Sequence, residues 1–130
     1  MVRNYKRIVF LEWFTSAGLI LFWLGFFTIG LAPEKPPEGY FVYEHSFPMP
    51  DILLAIALIY SGVLIKNGNP LGKSFSLACA GAVLFLGILD VNFNVQNGMY
   101  TLSTLDFIMN AFNNLWCVFA GIYLFILLKE

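Results

Sequence analysis

The sequence predicts an all-α membrane protein: four transmembrane helices in an antiparallel up-down bundle, with both N- and C-termini cytoplasmic. Three observations predict it. The 130 residues are 59% hydrophobic and only 12% charged, far from the averages of water-soluble chains. The apolar residues fall into four runs near the roughly 20 residues that a helix needs to cross a hydrocarbon core of about 30 Å. The basic residues sort by loop: Arg3, Lys6, Arg7, Lys66, Lys73 and Lys129 share one side and only Lys35 takes the other. Positively charged loops stay in the cytoplasm, which orients the bundle. The whole chain reads as one domain, with no room for a soluble domain between spans.

The first span is expected over about residues 8–31. Basic residues precede it and Gly30 and Ala32 close it, in the manner of a signal peptide. Its apolar stretch exceeds an ordinary signal core, so an uncleaved anchor is the better reading. A loop over residues 32–49 follows on the outer side. Pro33, Pro36, Pro37 and Pro48 restrict it, and an ordered lid with Phe41 and Phe47 packing downward is expected.

The second span runs over about 50–66, with Pro50 suited to a first helical turn and Asp51 to the positive N-terminal end. Gly68-Asn69-Pro70-Leu71-Gly72 supplies a compact turn, making a tight hairpin with the third span, about 74–97. That span has no breaker until Gly98, an expected C-terminal cap. The fourth, about 104–128, starts at a capping-box pattern of Ser103 with Asp106 three residues later. Small and polar residues recurring at helical spacing mark the expected inner faces, since helices in lipid associate through close contact and shared hydrogen bonds. They are Ser76, Ala80, Val83 and Gly87 on span three, Cys117 and Gly121 on span four, Ala55 and Gly62 on span two, and Thr15, Gly18 and Gly25 on span one.

Ionisable groups inside a span are costly, by roughly 2.5 to 3.5 kcal/mol on insertion scales, and each needs a partner or a purpose. Asp90 is the leading case. It lies near a helix C-terminus, where the dipole disfavours a negative charge. Asn110, seven residues into span four, falls at nearly the same depth, so the two are expected to approach one another. Asn94, Asn113 and Asn114 would surround them with amide groups. One reading is a hydrogen-bonded network that joins spans three and four; the other is an outward-opening binding or reaction pocket. Asp51 and Asp106 sit at helix starts, where capping explains them, yet they crown the same end as Glu44 and His45.

A metal site from His45, Glu44 and these aspartates matches no motif with a known mechanism, so no metal and no cofactor is expected. Glu12 lies about one turn beyond Arg7. Snorkelling or pairing with Lys6 or Arg7 is its simplest role; turned into the bundle, it becomes a candidate proton relay.

Cys79 and Cys117 stand alone in apolar runs, without zinc spacing or a Cys-x-x-Cys pair, which excludes a dithiol redox enzyme. Seven Lys and Arg without a basic stripe exclude a nucleic-acid surface. No serine elbow, His-Glu-x-x-His helix or phosphate loop is present. The leading expectation is a small cell-membrane protein that binds or carries a small amphipathic or lipid-like ligand in an outward-facing polar pocket. The alternatives are a non-catalytic partner or assembly subunit of a membrane complex and a small acid/base enzyme using Asp90. Expected partners are the lipid bilayer, the small ligand, and a second copy or a membrane partner subunit.

Overall fold

A computed structural model describes residues 2–129 as five α-helices and one 3-10 turn: α1 Tyr5–Thr28, α2 Tyr40–Glu44, α3 Pro48–Lys66, α4 Leu71–Gln96 and α5 Thr104–Leu128, with the 3-10 turn at Met99–Thr101. All except α2 are long, and these four are long and apolar enough to cross a membrane. They pack antiparallel, so both chain ends lie at one end of the bundle, the terminal end. The loop carrying α2 and the 3-10 turn lie at the other, the loop end.

Local sequence explains most of the helix ends. Gly98 adopts φ +68° and closes α4, as a glycine cap requires, because a left-handed residue terminates the repeat without a Cβ clash. Gly30 at φ +87° does the same for α1, which therefore stops at Thr28 rather than running to 31. The α4 helix starts earlier than expected, at Leu71, because the Asn69 Oδ1 accepts from the Leu71 N–H at 2.9 Å and satisfies one of its free amides. Ser103 caps α5: its Oγ accepts from the Asp106 N–H at 3.0 Å and donates to the Asp106 Oδ2 at 2.7 Å. The reciprocal half of the box thus runs between side chains. Pro48 opens α3, where a missing N–H costs nothing.

α1 packs chiefly along α3, and α4 along α5, while α3 and α4 join the two pairs; of these four neighbouring pairs, α1 and α5 touch least. The close pairs rest on small residues. A Cβ on Gly121 would lie 2.7 Å from the Leu84 Cβ and 2.9 Å from the Ala80 carbonyl oxygen, so α5 approaches α4 backbone to backbone. Polar side chains join α1 to α3 across their length: the Ser16 Oγ donates to the Ala55 carbonyl at 2.8 Å, and the Trp13 Nε1 donates to the Ile59 carbonyl at 3.2 Å. Three buried clusters stack along the bundle: Ile8, Leu124 and Leu128 at the terminal end, Leu58, Val83 and Ala120 in the middle, and Trp23, Phe26, Tyr40 and Met99 at the loop end. Leu21, Ile56, Phe85, Leu115 and Phe125 stay more than half exposed. A coat of this kind is a liability in water and a solvent-matched surface in lipid.

Glu12 is fully buried. It neither snorkels nor pairs with Lys6 or Arg7: the Ser76 Oγ donates to its carboxylate, 3.2 Å from both oxygens, and Ser61 bonds to Ser76 in turn. The reason is register. Glu12 shares a helical face with Ile8, Thr15 and Ser16, all buried, so a residue on that face has no route to the headgroups.

Candidate functional site

The seam between α1 and α5 opens into a pocket of about 120 Å³ towards the loop end. By this measure one water needs on the order of 10 to 15 Å³, so the pocket holds several waters or one small polar group. Helix geometry places its polar lining. Asp90 and Asn94 are one turn apart on α4, and Asn110, Asn113, Asn114 and Cys117 recur every three to four residues on α5. Residues at that spacing share a face. Asp51 comes from the first turn of α3, Glu44 from α2, and Thr15, Gly18 and Trp23 from α1.

The roof is α2 with the residues after it. The Tyr43 ring stacks on Phe93, centroids 3.9 Å apart and planes within 2°, and its hydroxyl donates to the Asp90 Oδ1 at 3.0 Å. Tyr40 is buried and Phe47 lines the pocket. The loop is thus an ordered lid, but its anchors are Tyr40 and Tyr43. Phe41, expected to point downward, is 46% exposed. The floor is the Trp116 Nε1–H donating to the Thr15 Oγ1 at 2.9 Å. Glu12 lies one turn beneath it and is not part of the lining. Sideways, Phe14 and Phe112, each about half exposed, flank the gap between α1 and α5.

Seven of the residues singled out in the sequence meet at this pocket: Glu44, Asp51, Asp90, Asn94, Asn110, Asn113 and Asn114. Three others lie elsewhere. Asp106 is bound to Ser103 as a helix cap. His45 is exposed beside the rings of Phe26, Phe27 and Phe41, about 6 Å from each. Glu12 belongs to the serine cluster below. No three His, Cys, Asp or Glu side chains converge as a metal site among the described residues.

Hydrogen bonding divides the polar lining into used and unused groups. Asp51 accepts from the Trp23 Nε1–H at 2.8 Å, and Asn114 donates to the Tyr100 hydroxyl at 2.6 Å. Asn110 donates to the Asp106 carbonyl of its own helix at 2.8 Å, so it shares the pocket with Asp90 without being bonded to it. Asn94 is only 4% exposed and its amide has no partner among the described residues. The Glu44 carboxylate and the Asn113 amide also lack hydrogen-bond partners there.

No protein-family model matches the chain, and neither a curated protein nor a solved structure matches it significantly. The chemistry of the site therefore rests on its own geometry. Trp23 and Tyr43 are the carboxylate-bonding side chains that sequence reasoning passed over. Tyr43 reads as an aromatic near a span boundary, where membrane anchoring is the usual role, and Trp23, inside the first span, as a core residue. Their attachment to Asp51 and Asp90 depends on how α1 and α2 fold over the bundle, which no local pattern encodes.

Proposed function

We propose that this protein sits in the cell membrane with both termini cytoplasmic, and that it binds the polar head of a small amphipathic ligand in the outward-facing pocket. The observation that carries the reading is Asn94: a residue only 4% exposed that lines the pocket and whose amide bonds no protein group among the described residues. No buried side-chain nitrogen or oxygen among the described residues lacks a partner, so the Asn94 amide atoms keep access to the cavity, where a ligand can bond them.

The surroundings support an amphipathic ligand over a freely soluble one. The pocket is too small for a whole lipid, yet it borders the loosest seam between neighbouring helices of the bundle. A polar head fits inside while an apolar tail leaves between Phe14 and Phe112 into the bilayer. The Trp116 to Thr15 bond beneath the pocket favours binding over carriage to the opposite face, because a carrier needs a path past that floor. The orientation rests on the basic residues at the terminal end.

Gly18 supplies the test. A Cβ there meets nothing within 4 Å, and Gly18 lines the pocket. Gly18→Leu should fill the cavity and leave the fold intact. Purified wild type and Gly18→Leu are heated in lipid nanodiscs with a panel of single-chain amphiphiles. A thermal shift seen in wild type and lost in Gly18→Leu is expected. Equal shifts in both proteins, or none in wild type, would remove the binding role.

A further inference from the structure

Three carboxylates border the pocket and no basic side chain does. Glu44, Asp51 and Asp90 come from α2, α3 and α4, and among the described residues each takes at most one hydrogen bond, always from a neutral donor: Trp23 to Asp51 and Tyr43 to Asp90. An ionised carboxylate offers about four acceptor positions, so most of this acceptor capacity faces the cavity unused. The two basic groups at this end, Lys35 and His45, are exposed and outside the lining. The remaining Lys and Arg residues are at the terminal end.

The ligand must therefore bring the positive charge. A bare metal ion is a poor candidate, because the three carboxylates stand on different elements and do not converge as a ligand set. An organic cation is broader, and its charge is spread over a surface that separated carboxylates can contact together. The aromatic lining has the same preference: Phe22, Trp23 and Phe47 present rings to the cavity, and ring faces attract ammonium groups within about 6 Å. The partnerless Asn94 adds an amide oxygen, an acceptor for an ammonium N–H.

We infer that the pocket selects a single-chain alkylammonium, its charged head held among Glu44, Asp51 and Asp90 with an N–H donated to Asn94, and its tail leaving between α1 and α5. The inference rests on the binding role proposed above and adds the charge of the head. It differs from a general affinity of membranes for cations, because it ties selectivity to named residues on one side of the bundle.

The test uses three amphiphiles with the same twelve-carbon tail: dodecylammonium, dodecanol and laurate. Binding to the full chain in phosphatidylcholine nanodiscs is followed by tryptophan fluorescence, since Trp23 and Trp116 line the pocket. The signal from Gly18→Leu is subtracted to remove partitioning into lipid. Dodecylammonium is expected to bind at least tenfold more tightly than either other probe. Glu44→Gln and Asp90→Asn should each weaken it several-fold, and by more than they weaken dodecanol. Glu44 has no hydrogen-bond partner among the described residues, and the amide introduced by Asp90→Asn can still accept from the Tyr43 hydroxyl. Both variants should therefore stay folded, as circular dichroism will show. Equal or better binding of dodecanol or laurate overturns the cation inference and leaves the binding role standing. An unchanged dodecylammonium preference in both variants overturns the assignment to these carboxylates. Failure of all three probes to bind removes the binding role itself.

Discussion

Individual polar residues inside this bundle differ in what their removal should cost. The Trp23 to Asp51 bond joins α1 to α3 at the loop end, and both side chains are buried. Trp23→Phe removes the donor and leaves a buried carboxylate oxygen short of a partner, a loss of about 1 to 3 kcal/mol. A double-mutant cycle with Asp51→Asn should isolate a coupling of about 0.6 kcal/mol, and below about 1.7, the range measured for hydrogen bonds within membranes. Unfolding equilibria in mixed micelles provide the measurement. Glu12 behaves differently. Glu12→Gln keeps an acceptor for the Ser76 hydroxyl, so stability should change by less than about 1 kcal/mol. Ser76→Ala removes one of the two serine hydroxyls that serve the buried carboxylate and should cost about 1 to 3 kcal/mol. The reverse order would mean that the glutamate, and not its hydroxyl partner, anchors the cluster. The pairing was not readable from the sequence. Periodicity placed Glu12 and Ser76 on faces, but which two faces meet is a property of the packed bundle.

At the scale of elements, glycines separate the tight pair α4 and α5 from the loose pair α1 and α5. Gly121 has the backbone of α4 within 3 Å of its would-be Cβ, so Gly121→Ala should push the helices apart at a cost of about 1 to 3 kcal/mol. Gly18 has open space, and Gly18→Ala should be neutral or slightly stabilising, since alanine favours a helix by up to about 1 kcal/mol over glycine. Thermal unfolding of the two variants side by side checks the contrast; equal effects would mean that the seam at Gly18 is closed. Helix ends were largely legible in advance. The cap at Ser103 and the stop at Gly98 depend on neighbours three or four residues away, and appear where the pattern placed them. Ser103→Ala should cost about 0.5 to 2 kcal/mol. The lid was legible only in outline, because proline spacing restricts a loop without choosing which aromatic ring turns inward.

For the molecule as a whole, the arrangement predicts unequal reactivity of the two thiols. Cys117 lines the pocket, whereas Cys79 is packed with Leu58 and Val83 in the middle cluster. A small methanethiosulfonate should modify Cys117 first in folded protein in nanodiscs, and Cys79 only after unfolding, as peptide masses over time will reveal. Bound dodecylammonium should slow the first reaction. Simultaneous modification would imply that the middle of the bundle opens as readily as the seam.

Length and hydropathy by themselves determined four apolar helices, because in lipid every backbone amide must be satisfied within its own span and only a long helix does so. Local side-chain chemistry determined where most of those helices stop. The residue types of the pocket were visible too, since Asp90 and the asparagines stand out against an apolar background. Only the tertiary structure decided that α1 lies against α3 and leaves a seam beside α5, that Glu12 turns to the serines rather than the headgroups, and that Asp106 and His45 stay outside the pocket. Helix pairing in a membrane is set by the fit of small residues and single hydrogen bonds, each worth a fraction of a kcal/mol to about 2 kcal/mol. Such differences arise between helices distant in sequence, and no single segment carries them.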